Sequence, residues 1–139
     1  MSATLKKIPQ YIIELVAHEG GRMTRVREAT ILQMSTFPRP QSIQEIVSRV
    51  DADEVSVYRT IAFFHSIGVV EEIIFPNGPK RYALAQGHHH HVICTSCGHV
   101  AHMTCDKDNV LRSLKKPDGF TSIHDHVVTY YGICTECSS

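Results

Sequence analysis

Apolar residues recur at helical spacing through the first half of the chain. Ile8, Tyr11, Ile12, Leu15 and Val16 predict a helix over Thr4–His18. Pro9 falls near its start, where proline is tolerated, and Gly20-Gly21 ends it. Thr24 caps a second helix running to about Ser35. The loop Phe37-Pro38-Arg39-Pro40-Gln41 follows, and Ser42 opens a third helix with Ile43, Ile46, Val47 and Val50 on one stripe. After the turn Asp51-Ala52-Asp53 comes a fourth helix, capped by Asp53 or Ser56 and running to about Ile67. Its inner face is Val57, Ile61 and Phe64, and Gly68 terminates it. The period then changes to that of strands. Val69–Phe75 and Pro79–Leu84 are β-branched or aromatic runs flanking Asn77-Gly78, a hairpin signal.

The third and fourth helices read as an ordinary helical pair or as a helix-turn-helix with Tyr58, Arg59 and Thr60 pointing away from the core. The hairpin that follows favours the second reading, because helices followed by a two-stranded wing describe a winged helix. Near Leu84–Gly87 the composition shifts to His and Cys, which divides the chain into 1–84 and 85–139. In the second part His88–Ile93 and His99–Met103 predict strands. Asp106–Lys115 predicts a helix with Val110, Leu111 and Leu114 inward. Pro117-Asp118-Gly119 breaks it, and Ser122–Ile133 predicts a long strand alternating through Ile123, Val127 and Thr129. The fold class is therefore α+β: an N-terminal winged-helix DNA-binding domain and a small αβ dimerisation domain, whose edge strand is free to pair with a second copy.

With 139 residues, 42% of them hydrophobic, the chain can bury a core. Formal charge is zero, and neither half departs from balance, so any nucleic-acid site is a local patch. Arg22, Arg25 and Arg27 at the start of the second helix are one such cluster, or a solvated face. No apolar run approaches the ~18 residues of a spanning helix. Met1-Ser2-Ala3-Thr4-Leu5-Lys6-Lys7 leads into no signal core, so the expected compartment is the cytoplasm, with no membrane partner. Five cysteines there point to metal rather than disulfides.

Cys94-x-x-Cys97 and Cys134-x-x-Cys137 make a closed four-thiolate set suited to structural zinc, against the alternatives of free thiols or a redox pair. Strand alternation separates His89 and His91 from His88 and His90, so one run serves two sites. His102, His124 and His126 are the expected completing residues, with Asp108, Asn109 and Asp125 as oxygen donors. Cys105 reads more readily as a small buried hydrophobe than as a ligand, although it lies three residues after His102.

Met23-Thr24-Arg25-Val26-Arg27, Ser56-Val57-Tyr58-Arg59-Thr60-Ile61, the run His88–His91 into Cys94-x-x-Cys97-Gly98, and Gly119-Phe120, His126 and Tyr131-Gly132-Ile133-Cys134-x-x-Cys137 together resemble the ferric uptake regulator (Fur) family of metal-sensing transcription factors across essentially the whole chain. The resemblance implies a homodimer that binds double-stranded operator DNA, an inverted repeat, when loaded with a divalent metal, and that represses uptake genes. DNA contact is implied for Ser56, Tyr58, Arg59 and Thr60 and for Arg22 and Arg27. Structural Zn2+ is implied at Cys94, Cys97, Cys134 and Cys137. The regulatory set is His88, His89, His90, His91, His102, His126, His124 and Asp108. Pro40 stands where the family usually places a His, and Ala83 where it places an acid. Fewer carboxylates and more imidazoles favour Zn2+, the zinc-sensing branch, over Fe2+, Ni2+ or Mn2+.

The expected mechanism is a linkage switch. Metal at the His cluster fixes the domains so that the two recognition helices of a dimer meet successive major grooves, about 34 Å apart. The alternatives are an iron- or peroxide-sensing regulator of the same family, a zinc-dependent hydrolase, and a metal-storage module without DNA binding. The hydrolase needs an open coordination position and a carboxylate base, and acids are sparse around the cluster, so the chain reads as no enzyme.

Overall fold

The computed structural model describes residues 8–37, 39–85 and 87–138. The chain divides into two compact units, Met1–Ala85 and Gln86–Ser139. Among the described residues no helix is long and apolar enough to cross a membrane.

The first unit contains α1 (Gln10–His18), α2 (Arg25–Thr36), α3 (Ile43–Val47), α4 (Glu54–Ser66), β1 (Val70–Ile73) and β2 (Arg81–Leu84). Helix α1 begins later than the Thr4 start read from the sequence. Pro9 stands at its cap position, and residues 4–7 lie outside the described residues. The other helix starts follow local chemistry. Thr24 Oγ1 accepts the Arg27 N–H at 3.2 Å, Ser42 Oγ accepts from Glu45 N at 3.2 Å, and Asp53, rather than Ser56, caps α4 by accepting from Ser56 N at 3.3 Å. Helix α4 ends in a Schellman turn. Gly68, at φ 81°, lets its own N–H reach His65 O and the Val69 N–H reach Phe64 O.

Ile12, Val16, Ile31, Ile46, Val57, Ile61, Phe64 and Val70 are almost fully buried and form one core. Strand β1 pairs antiparallel with β2, from Val70 opposite Leu84 to Ile73 opposite Arg81. The ladder is shorter than the two apolar runs. Pro76 and Pro79 cannot donate to it, so residues 74–80 form a wide connection with Asn77-Gly78 inside it rather than a two-residue turn. Gln41 extends this sheet through a mutual backbone pair with Tyr82, and its buried side chain exchanges two hydrogen bonds with Gln33, at 2.7 and 3.1 Å.

The second unit has β3 (His90–Cys94), β4 (Val100–Met103), α5 (Lys107–Ser113), β5 (Thr129–Gly132) and α6 (Thr135–Ser138). Strand β3 lies in the middle, antiparallel to β4 and parallel to β5. The long strand expected over Ser122–Ile133 is only β5. Upstream of it local side-chain bonds replace a ladder: Ser122 Oγ meets His124 Nε2 at 3.0 Å, and Asp125 Oδ1 accepts the His126 N–H at 2.9 Å. Helix α5 is also shorter than expected, and its apolar stripe is not inward. Val110 is 39% and Leu114 43% exposed, and α5 has no buried residue. Val127 at 86%, Phe120 at 64% and Ile133 at 58% add to the uncovered apolar surface of this unit.

Candidate metal centres and nucleic-acid face

The four cysteines converge because β3 and β5 run side by side. Cys94 sits opposite Gly132 in the parallel ladder, and the Thr95 N–H donates to Gly132 O. The chain then turns at Gly98, φ 78°, whose N–H donates to Cys94 O. Cys137 follows Cys134 in the first turn of α6. All four sulfurs lie within 4.8 Å of one another. Cys97 Sγ and Cys134 Sγ are 3.7 Å apart. A tetrahedron with Zn–S bonds of about 2.3 Å has sulfur–sulfur edges of about 3.8 Å, so this edge is already of the required length. Backbone N–H groups of Cys134 and Cys97 lower the Cys94 thiol to about 6. Cys137 receives a lowering hydrogen bond from Ser96, but its neighbours Cys134 and Cys97 push it up to about 11. Four such sulfurs cannot all be thiolates without a cation among them, and a divalent ion would supply it.

The alternation along β3 separates the histidines as the sequence implies. On one face His89, His91 and His102 come together. The β3–β4 register sets His102 directly opposite His91, with ring centroids 5.0 Å apart, and His89 lies 4.4 Å from His102. On the other face His88, His90 and His126 meet. His88 Nε2 is 3.0 Å from His126 Nε2. His90 is buried. Burial first, then the charges of His126 and His88, hold it below the ordinary imidazole value and keep it in the neutral form that binds metals. Its Nδ1 is enclosed and has no hydrogen-bond partner, which fits a metal ligand.

Cys105, read from the sequence as a packing residue, belongs to this second cluster. Its Sγ is 3.2 Å from His126 Nε2. The spacing that links Cys105 to His102 pointed to the wrong face; His126, far along the chain, is its neighbour. Two residues expected as ligands stay outside. His124 and Asp108 share a cleft with Leu111, Arg112, Leu114, Lys116, Ser122 and Ile123. His124 does not follow His126 because 122–128 is not a strand, so the two are not held on one face. Asp125 likewise lies outside the clusters: its Oδ1 accepts from the His126 N–H and lies 3.2 Å from Lys107 Nζ. It lies 3.9 Å from His88 Nδ1, beyond hydrogen-bond distance. Asn109 gives its backbone N–H to the Asp106 cap.

In the first unit, residues distant in sequence line one cleft: Arg22, Arg27, Ser56, Arg59 and Thr60. The Arg27 guanidinium stacks 3.8 Å from the centre of the Phe63 ring and donates to Arg22 O at 2.8 Å, so it is held rather than loose. Gly21 permits this approach, since a Cβ there would stand 3.0 Å from both Arg27 Nη1 and Phe63 Cζ. Thr60, expected to contact DNA, is only 6% exposed and serves as the floor of the cleft, because α4 turns it toward the core side of the helix. Tyr58 is 59% exposed and lies on the other side of α4, beside Ile43, Lys80 and Tyr82. Arg25 pairs with Asp51 at 3.6 Å on the surface.

Known proteins share this fold. The profile of the ferric uptake regulator family matches residues 18–131. The peroxide-responsive repressor PerR of Staphylococcus aureus is 26% identical, over 99% of this chain and 98% of its own. The fold superposes on the Helicobacter pylori ferric uptake regulator with a TM-score of 0.72 at 20% identity, covering 100% of this chain and 98% of that one. A zinc uptake regulator solved with zinc and DNA gives 0.71 at 21% identity, covering 99% and 97%. The Campylobacter jejuni peroxide stress regulator gives 0.68 at 22%, covering 91% and 98%. The chain therefore belongs to the ferric uptake regulator family, whose members are metal-responsive transcription regulators and not enzymes.

Proposed function

We propose that this protein is a homodimeric, zinc-sensing repressor acting on operator DNA of uptake genes in the cytoplasm. The observation that carries the reading is the donor chemistry of residues 86–139. Four thiols form a closed set, and two separate imidazole clusters stand beside it with no carboxylate among their donors. Manganese favours oxygen-rich sites and non-haem iron commonly adds a carboxylate to its imidazoles, whereas imidazole with thiolate suits zinc. The four cysteines would hold a permanent structural ion. The two His clusters would take the ion whose supply is sensed, binding as neutral imidazoles so that loading competes with protons.

In the first unit Arg22, Arg27 and Arg59 would contact phosphate, and exposed Tyr58 and Ser56 would meet base edges from the start of α4. The uncovered apolar side chains of residues 103–133, together with β5 at the edge of its sheet, support a second copy as the cover. The similarity to peroxide-responsive repressors keeps iron or peroxide sensing as the second reading. The test is elemental analysis of the purified protein, followed by gel-shift titrations with Zn2+, Fe2+ and Mn2+ on DNA selected from random sequence. Retardation that follows zinc at the lowest free concentration supports zinc sensing. Retardation that follows iron and is abolished by peroxide replaces it with the second reading.

A further inference from the structure

The site formed by His88, His90 and His126 rests on the reading just given, and the structure adds a donor to it. We propose that the Cys105 thiolate is its fourth ligand, which makes the site a closed centre of three imidazoles and one thiolate that takes zinc or cobalt in preference to manganese or iron.

Three observations converge. Cys105 Sγ lies 3.2 Å from His126 Nε2, which is itself 3.0 Å from His88 Nε2. Tetrahedral zinc with Zn–N of about 2.05 Å and Zn–S of about 2.3 Å needs edges of about 3.5 and 3.3 Å for these pairs, so small side-chain adjustments open the space. The enclosed Nδ1 of His90, a residue only 7% exposed, has no hydrogen-bond partner in the same cluster. The carboxylates nearby in sequence lie outside the group. Asp125 is held by the His126 N–H and Lys107, and Asp106 caps α5 through the Asn109 N–H. That leaves the thiol as the fourth member of the group among the described residues.

The backbone also fixes it. Cys105 is half-buried between the end of β4 and the α5 cap, so its side chain is placed by two ordered elements. One soft thiolate and a tetrahedral set disfavour ions that prefer six oxygen-rich ligands. With all four positions filled by protein, no coordination position is left for an activated water.

The experiment is a Co2+ titration of the full-length protein with zinc retained at the four cysteines, which elemental analysis checks before and after. Cobalt bound through Cys105 gives a thiolate-to-cobalt charge-transfer band in the near ultraviolet together with the intense visible bands of four-coordinate cobalt. Cys105→Ala and Cys105→Ser should both abolish the charge-transfer band while cobalt still binds the imidazoles, at least about tenfold more weakly. Far-ultraviolet circular dichroism of the serine variant shows whether the fold is kept, and His126→Ala should remove the same band from the other side. Cobalt uptake by the unaltered protein without the band, or a band that survives in both cysteine variants, overturns the assignment of Cys105. No uptake beyond the zinc already present overturns the metal-site reading on which it rests.

Discussion

Removing the ion from the four cysteines should unfold the second unit and leave the first folded. That unit buries little apolar surface. Among its described residues the buried set is Ile93 and Cys94 with the polar His90 and His91. At roughly 0.05–0.15 kcal/mol per residue, a unit of this length has about 3–8 kcal/mol of stability to lose. The crossing contact between the two cysteine pairs, Cys97 to Cys134, spans 37 positions. A cross-link closing a loop of that length removes about 4 kcal/mol of unfolded-chain entropy on the loop-closure account. This is half or more of the whole, before any bond enthalpy is counted. The perturbation is Cys97→Ser with Cys137→Ser, or a strong chelator, and the assay is hydrogen exchange read by mass spectrometry. Peptides covering β3 (90–94) and β5 (129–132) should lose protection, while α4 (54–66) keeps it, because its core of Ile12, Ile31, Ile46, Val57 and Phe64 lies within residues 1–85. Unchanged protection of β3 and β5 in the metal-free double variant would refute the argument that the ion staples this unit.

Phe64→Ala, which empties a fully buried position in the first unit, should cost about 3–5 kcal/mol and shift the urea midpoint of its unfolding without changing zinc content. Arg59→Ala should weaken operator binding and reduce the slope of log affinity against log salt by about one contact's worth, as anisotropy across a salt series would show. Tyr58→Ala should relax sequence preference more than it weakens binding to unrelated DNA; unchanged preference in a selection experiment removes its role in base reading. Asp53 is held below the ordinary carboxylate value, first by the Ser56 hydroxyl and then by the Ser56 N–H. Its folded value is therefore depressed. The stability it gives α4 is complete above the ordinary aspartate range and is lost as pH falls through the folded value. Asp53→Asn keeps a capping oxygen and should remove that acid step from the helical signal followed by circular dichroism.

The first unit was legible because its signals are local. Thr24, Ser42 and Asp53 cap the helices they precede, and the stripe Val57, Ile61 and Phe64 faces the core. The alternation of His88–His91 likewise survives folding as two faces, because a strand fixes it. What failed depended on distant partners. Cys105 meets His126 across 21 positions, and no short spacing shows that. Ile123, Val127 and Thr129 alternate like a strand, yet Asp125 and Ser122 divert the backbone and histidine groups of 122–128 into side-chain bonds. The stripe of Val110, Leu111 and Leu114 is apolar but uncovered, since periodicity reports what a helix needs to bury and not whether the same chain supplies the cover. Thr60 lines the same cleft as Arg59, yet one further step around α4 leaves it buried as the floor.

If the protein works as proposed, metal at the imidazole clusters controls DNA affinity. The direct measurement is fluorescence anisotropy with a selected operator, comparing protein that carries zinc only at its four cysteines with protein also loaded at the His sites, at fixed salt. Affinity should be higher by about 5- to 150-fold in the loaded form, with the His88→Ala, His90→Ala and His126→Ala variants losing most of that gain. Equal affinity in the two forms, with the four-cysteine zinc intact in both, would contradict it.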